Sequence, residues 1–225
     1  MESIILIETS TALCSVALAE DGAITAYRES SAAKAHASLT AVFVQEVLQE
    51  RGIKLEDCDA VCVSMGPGSY TGLRVGVSTA KGLCFGSGKP LIAVGTLDTL
   101  VAQTETPTDF KYIVPMIDAR RMEVYAAVFE NDKQISATAP AIIDENSFVE
   151  YLEQGPVLFI GDGAGKCADV IKHPNAHFCQ CHPKASSMLA PAMKVYKEKR
   201  FEDVAYFEPF YLKEFVATVS KKKLF

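Results

Sequence analysis

The sequence predicts an α/β protein of two similar lobes, each a βββαβα unit with a mixed sheet. The strand pattern that begins near residue 4 restarts near residue 112, and LIE at residues 6–8 matches MID at residues 116–118. Each copy combines hairpins with crossover helices, which excludes a purely parallel doubly wound sheet. The expected lobes are residues 1–106 and 107–225, and the last segment could cross back to the first lobe.

The first lobe opens on a continuous apolar run that ends at Glu8, and Asp21-Gly22 marks a hairpin turn. Apolar residues at helical spacing then predict a long helix that Arg51-Gly52 ends. A second strand-turn-helix follows at the glycine-rich stretch. The expected strands are residues 4–7, 14–18, 23–27, 60–65 and 90–94, and the expected helices are residues 35–50, 69–85 and 97–103.

Residues 107–110 read as a linker, after which the pattern repeats. Pro140 should interrupt the third strand of the second lobe, because proline lacks the N–H that a strand ladder needs. The expected strands are residues 112–117, 124–129, 134–143, 157–160 and 176–181, and the expected helices are residues 147–153 and 187–200.

Composition limits the classes of function. The chain has 225 residues, 49% of them hydrophobic and 22% charged, with a net charge of −6, which is typical of a globular protein without a broad phosphate-binding surface. We expect a partner to hold most of any nucleic acid. The N-terminus lacks the pattern of a secretory signal, and no apolar run reaches the ~18 residues of a membrane helix. Seven scattered cysteines indicate reduced thiols in a cytoplasmic protein, and the lack of a long apolar run predicts no membrane association.

The glycine-rich turn resembles nucleotide loops without matching one. Gly66, Gly68 and Gly72 are spaced one residue too far apart for a dinucleotide fingerprint, and no acid follows at the ribose distance. Residues 161–166 fail as a Walker loop because Ile160 and Cys167 occupy key positions. The turn could bind an anion at the helix start, or it could serve packing only.

Two acids occupy matching strand ends. Glu8 and Asp118 could position a metal-bound phosphate or activate water, and they could equally be turn caps. The residues expected to face a nucleotide or another anion, if one binds, are Glu8, Thr9, Ser10, Gly66, Gly68, Asp118 and Arg120.

The sequence predicts no metal site and no catalytic residue. His36 opens a helix, but Thr40 stands where a second histidine ligand would be. Ser69 is not in a nucleophile-elbow motif. A denser group fits no common zinc spacing, and its role is left open between metal binding and buried thiols: His173, His177, Cys179, Cys181 and His182.

Several motifs together resemble the bacterial TsaB (YeaZ) family of threonylcarbamoyladenosine biosynthesis proteins. The most specific are MGPGSYTGLRVG at residues 65–76, AKGL at residues 80–83 and IDAR at residues 117–120. The likeness extends to ILIETST at residues 5–11, CSVAL at residues 14–18, GTL at residues 95–97 and EPFYLK at residues 208–213, so it spans nearly the whole chain.

The resemblance implies an actin-like and Hsp70-like two-lobed (ASKHA) fold. It also implies a scaffold role in placing threonylcarbamoyl on the adenosine next to the anticodon, in tRNAs that read codons beginning with A. In this family the catalytic subunit is the paralogue TsaD, whose metal is held by two histidines. The ATPase TsaE joins the pair, tRNA is bound mainly through the complex, and TsaC or a relative makes the threonylcarbamoyl-adenylate. No cofactor is expected on this chain alone, and ATP or ADP could contact it at the TsaD junction.

By the same resemblance, the helices at residues 35–50 and 69–85 form the surface that binds TsaD and that can also form a homodimer. The residues expected at this surface are His36, Leu39, Phe43, Gly72, Arg74, Gly76, Thr79 and Leu83. The alternative function is an autonomous ASKHA-type ATPase or a metallopeptidase, and the missing histidine pair weighs against the peptidase. Lysines 221–223 should form a solvated tail, with an RNA or partner contact as the alternative.

Overall fold

The computed structural model describes residues 2–32, 35–105 and 107–213, so the lysines at 221–223 lie outside the described residues. The first sheet, within those ranges, has its strands in the order β3-β2-β1-β4-β5. The strands are β1 (Ser3–Glu8), β2 (Cys14–Glu20), β3 (Ala23–Ser30), β4 (Ala60–Gly66) and β5 (Leu91–Gly95). β1 pairs with β2, and β2 with β3, in antiparallel hairpins, whereas β1, β4 and β5 run parallel. The predicted mixed sheet is confirmed.

Two long helices, α1 (Ala35–Arg51) and α2 (Tyr70–Ser87), cover one face of the first sheet. Strand residues alternate between the sheet's faces, so Ile5 and Ile7 point towards these helices. They pack there with Val47 of α1 and Val77 of α2. Sequence signals define the ends of α2, because the Ser69 side chain caps the amide of Gly72 and Gly88 ends the helix at φ +69°.

The second sheet repeats this arrangement in the order β10-β7-β6-β11-β12. Two short strands, β8 and β9, extend it beside β6. The strands are β6 (Tyr112–Asp118), β7 (Glu123–Ala126), β8 (Phe129–Glu130), β9 (Lys133–Gln134), β10 (Ala139–Ile142), β11 (Val157–Gly161) and β12 (Ala176–Gln180). Short helices α4 (Val149–Leu152) and α5 (Ala164–Cys167) accompany it.

Two predicted strands of the second lobe are each divided. The expected strand at 124–129 breaks after Ala126, because the amide of Val128 donates to the Ser136 side chain instead of a neighbouring strand. The expected strand at 134–143 becomes β9 and β10, and Pro140 lies in β10, which occupies the sheet edge. An edge strand tolerates proline because one side of its backbone needs no ladder partner.

Helices also join the two sheets. Helix α3 (Thr96–Ala102) packs Leu97 and Leu100 against Ile113 of the second sheet. The predicted helix at 187–200 is a 3-10 turn (Ala185–Met188) followed by α6 (Leu189–Lys197), and its hydrophobic residues pack on the other face of the first sheet. Among the described residues, none of the helices combines the length and apolar character needed to cross a membrane.

Candidate functional site

The loop that follows β1 buries an acid and three hydroxyl side chains. Glu8, Thr9 and Ser10 are 0% exposed and Thr11 is 5% exposed. One carboxylate oxygen of Glu8 accepts the amide of Ser10 at 2.7 Å. Its second oxygen and the three hydroxyls have no hydrogen-bond partner within residues 2–32, 35–105 and 107–213. Burial raises the pKa of Glu8 to about 7, although the hydrogen bond from the Ser10 amide opposes that shift.

The glycine-rich turn packs directly on this loop. The amide of Ser69 donates to the carbonyl of Ser10 at 2.6 Å. A Cβ atom added at Gly68 would overlap the Ser10 carbonyl, and one added at Gly72 would overlap the Thr9 carbonyl. Glycine is therefore required here for close approach of one backbone to another.

The end of the described chain adds a second layer. The amide of Phe210 donates to the Met65 carbonyl at 2.7 Å, and Gly66, at φ +109°, lies against the carbonyl of Phe210. The EPFYLK motif therefore returns to the first sheet beside the glycine turn. Lys81 of α2 fixes the preceding segment by donating to the carbonyls of Ala205 and Phe207 at 3.1 and 3.0 Å.

A groove of about 400 Å³ separates α2 from this returning segment. Tyr70 and Arg74 form its helical wall, and Glu208 and Tyr211 form the opposite wall. The rings of Tyr70 and Tyr211 lie 4.8 Å apart, and the guanidinium of Arg74 lies over the Tyr70 ring at 5.5 Å. The groove is thus polar and aromatic, with one exposed arginine.

The matching acid of the second lobe is exposed and paired. A carboxylate oxygen of Asp118 accepts hydrogen bonds from the ammonium group of Lys166 at 2.6 Å and from the amide of Arg120 at 2.7 Å. Lys166 also donates to the carbonyls of Arg121 and Glu123. Arg120 is exposed and adopts φ +70°. A lysine therefore neutralises the carboxylate that the sequence offered as a metal or phosphate ligand.

These residues do not fit a nucleotide phosphate and its metal as this chain alone arranges them. The Glu8 side of the expected site is buried under the chain's own glycine turn, and Asp118 already has a cation. Glu8, Thr9, Ser10 and Gly66 are inaccessible, and Gly68 packs on Ser10, so the expectation that they face an anion is corrected. Only Asp118 and Arg120 of that set are exposed.

The residues considered as metal ligands do not converge. The His36 ring nitrogen contacts the carbonyl of Thr11 at 2.8 Å, and the buried Thr40 hydroxyl donates to the carbonyl of His36. His177 packs its ring on Phe110 at 5.3 Å. In the part of the chain that the structure describes, no group of three or more His, Cys, Asp or Glu side chains could hold a metal ion.

The expected partner surface is only partly a surface. Phe43 is 8% exposed and belongs to the core below α1, and Gly72 and Gly76 face Thr9 inside the first lobe. These three residues are therefore removed from the set. Arg74 is exposed, and the remaining four residues are half-buried: His36, Leu39, Thr79 and Leu83.

Of the face of α2 that meets solvent, the sequence predicted only Arg74. Its residues recur every three or four positions: Thr71, Arg74, Ser78, Gly82 and Phe85. Phe85 is 87% exposed, the largest exposed fraction among the large hydrophobic side chains described. Helical periodicity could have predicted this face, because it lies opposite the apolar residues Leu73, Val77, Ala80 and Cys84 on the helix.

Comparison with known proteins identifies close relatives. A family model described as TsaD, tRNA N6-adenosine threonylcarbamoyltransferase, matches residues 30–221. The tRNA threonylcarbamoyladenosine biosynthesis protein TsaB of Escherichia coli (strain K12) is 31% identical over 222 residues, which cover 95% of this chain and 96% of that protein.

Solved structures agree with these sequence matches. YeaZ from Pseudomonas aeruginosa superposes with a TM-score of 0.81 at 25% identity, covering 94% of this chain and 100% of that one. An activator of 2-hydroxyisocaproyl-CoA dehydratase from Clostridium difficile, solved with bound ADPNP, gives a TM-score of 0.51 at 9% identity over 88% of this chain and 96% of that one. The second match shows the fold alone, and together they confirm the predicted actin-like ASKHA fold.

Proposed function

This chain belongs to the TsaB family, and we propose that it is a non-catalytic subunit for threonylcarbamoylation of tRNA that works by binding a TsaD-type transferase. The modified base would be the adenosine next to the anticodon in tRNAs that read codons beginning with A. The observation that carries the proposal is the outer surface that α1, before its last turns, shares with the part of α2 beyond Arg74, where every exposed side chain is uncharged. A homodimer through the same helices would compete with the transferase.

Helices on a protein surface ordinarily expose charged side chains. Here the exposed positions of α1 before its last turns are uncharged, and α2 adds two glycines and an aromatic ring. Interface cores are depleted of charges and enriched in aromatic residues, which matches this face. The exposed residues that define this surface, named here the helical face, are Ala37, Ala41, Val42, Gly82, Phe85 and Gly86.

The first-lobe loop supports a role without turnover. A kinase-like or ATPase-like lobe must present donors to phosphate oxygens, whereas Glu8 and Ser10 are buried beneath the chain's own turn. ATP or ADP would then contact this chain only at the junction with the transferase. The net charge of −6 favours tRNA being held mainly by the partner complex. In this proposal TsaE joins that complex, and the complex works in the cytoplasm.

Substitution of Phe85 by aspartate tests the helical face. The Phe85 ring is exposed to solvent, so the fold should tolerate the change, while a buried interface would lose an aromatic anchor and gain an unpaired charge. We expect binding to the TsaD-type transferase of the same cell to weaken by about 2 kcal/mol or more, roughly 30-fold. Titration of the two purified proteins measures this.

The matched control is Ile142→Asp, because Ile142 is 79% exposed on β10 of the second sheet, away from α1 and α2. It should bind normally. Equal binding by both variants would show that the helical face is not the interface.

Hydrolysis of ATP or peptide by the purified chain, with zinc, iron or magnesium added, would contradict a non-catalytic role. Depletion of the chain should abolish threonylcarbamoyladenosine in tRNA nucleosides.

A further inference from the structure

Two cysteines at the end of β12 stand apart from the other five. Of the seven cysteines, all within the described ranges, Cys14, Cys58, Cys62, Cys84 and Cys167 are buried. Cys179 is exposed and Cys181 is half-buried. β12 is an edge strand of the second sheet, so a small reagent can reach Cys179 from solvent. The threonylcarbamoylation role proposed above uses neither thiol.

The strand geometry brings the two thiols to one side. Residues two apart on a strand share a face, and at about 3.3 Å per residue their Cα atoms lie about 6.6 Å apart. Disulfides span Cα separations of about 4.4–6.8 Å but need Cβ atoms about 3.5–4.5 Å apart, so bridging this pair requires the chain to bend at Cys181, which lies just past the end of β12. Cys181 continues the ladder past β12 through a backbone bond from its amide to the Gly161 carbonyl at 3.4 Å.

The less exposed thiol of the pair is held in its protonated form. Burial is the main cause and the neighbouring Cys179 thiol adds to it, and together they raise the pKa of Cys181 to about 12. Cys181 therefore stays protonated, whereas Cys179 is the exposed sulfur of the pair. The exposed Cys179 sulfur is therefore the one that a peroxide meets first, whereas Cys181 must give up its proton as it attacks, which makes the second step the slower one.

We propose that Cys179 and Cys181 form a reversible oxidation site, in which a hydroperoxide converts the two thiols to an intramolecular disulfide. The Cys179 sulfur, as thiolate, attacks one peroxide oxygen, the O–O bond breaks, and the leaving oxygen takes up a proton as water or alcohol. The resulting Cys179 sulfenic acid is attacked by the Cys181 sulfur, which loses its proton as the S–O bond breaks and water leaves. Two thiols lose two electrons and the peroxide gains them.

The site lies at the seam between the two sheets. Cys181 packs against the hydrophobic cluster that joins α3 to the second sheet, as Val101 and Phe110 also do. The carbonyl of the next residue, His182, accepts a hydrogen bond from the Gln103 side chain at 3.1 Å, and the Lys184 amide donates to the same side chain. A disulfide to Cys179 would draw the Cys181 sulfur towards the edge of this cluster.

The full-length protein tests this directly. It is treated with hydrogen peroxide, denatured, alkylated with N-ethylmaleimide and digested with trypsin. Residues 173–184 form one tryptic peptide that contains both cysteines and no other. We expect this peptide to lose the mass of two hydrogen atoms and both alkyl labels, and dithiothreitol to restore the two labels. The peptide of the buried Cys167 should keep its label throughout.

Single substitutions assign the roles. In Cys181→Ser, the Cys179 peptide should carry sulfenic or sulfinic acid instead of a disulfide. In Cys179→Ser, Cys181 should keep its label after the same exposure. The proposal is overturned if the wild-type peptide keeps both labels, if it carries sulfinic acid at Cys179 with Cys181 still labelled, or if the product is a dimer linked through Cys179.

Discussion

Replacing Gly76 by alanine should destabilise the protein, while the same change at Gly82, six residues further along α2, should stabilise it. Alanine is favoured over glycine in a helix interior by about 1 kcal/mol at either position. A Cβ added at Gly82 would meet no described atom within 4 Å, so that gain is retained. A Cβ at Gly76 would overlap the Thr9 hydroxyl and press on its Cβ at 3.3 Å. Overpacking costs about 1–3 kcal/mol, which exceeds the gain.

Urea unfolding of the two variants and the wild type measures the effect. We expect Gly82→Ala to raise the free energy of unfolding by about 0.5–1 kcal/mol and Gly76→Ala to lower it by up to about 2 kcal/mol. In a Thr9→Ala background the overlapping hydroxyl is gone and only the 3.3 Å contact with the Cβ atom remains, so Gly76→Ala should then be clearly less destabilising than in the wild type. If Gly76→Ala stabilises the wild-type background, the face of α2 that packs on Thr9 has been misassigned.

Two further predictions concern the acids. Burial raises the pKa of Glu8 from 4.5 to about 7, so the native state holds a proton that the unfolded state releases, and stability should fall as pH rises from 4.5 to 7. The free energy of unfolding, measured in urea, should fall by about 3 kcal/mol more for the wild type than for Glu8→Gln between pH 4 and pH 8. Parallel pH profiles of the two proteins would contradict the burial of the carboxyl group. In the second lobe, Lys166→Met should destabilise the protein more than Asp118→Asn does. It removes the donor to the carbonyls of Arg121 and Glu123 as well as the cation beside the Asp118 carboxylate. By the same assay we expect Lys166→Met to lower the free energy of unfolding by about 1–3 kcal/mol and Asp118→Asn to lower it by less than about 1 kcal/mol. The reverse order would show that the ion pair dominates.

Local patterns in the sequence are enough to predict most of the fold. Apolar periodicity locates the strands and long helices, and the matching LIE and MID segments reveal the repeat of the two lobes. The division of the strand at 124–129 could not be predicted, since it depends on a hydrogen bond from the Val128 amide to Ser136, a contact that only the folded chain brings about.

The candidate site is harder to predict, because small residues in a helix have two physical uses. They allow a strand-end loop to approach within the lobe, and they allow another helix to approach from outside. Gly72 and Gly76 serve the first use, as their contacts with Thr9 show, although the sequence suggested the second. The residue types alone do not distinguish these uses, because both require only the absence of a side chain.

Gly82 and Gly86 differ from Gly76 in what offsets their cost. Each lowers the stability of α2 by about 1 kcal/mol relative to alanine, and neither has a described neighbour within 4 Å of an added Cβ. They flank Phe85, whose exposed ring would contribute about 1.5–3 kcal/mol if it were buried. A partner that covers Phe85 and approaches the backbone of α2 at the two glycines would offset both costs together. This end of α2, rather than its glycine-rich start, is therefore where the proposed docking surface is centred.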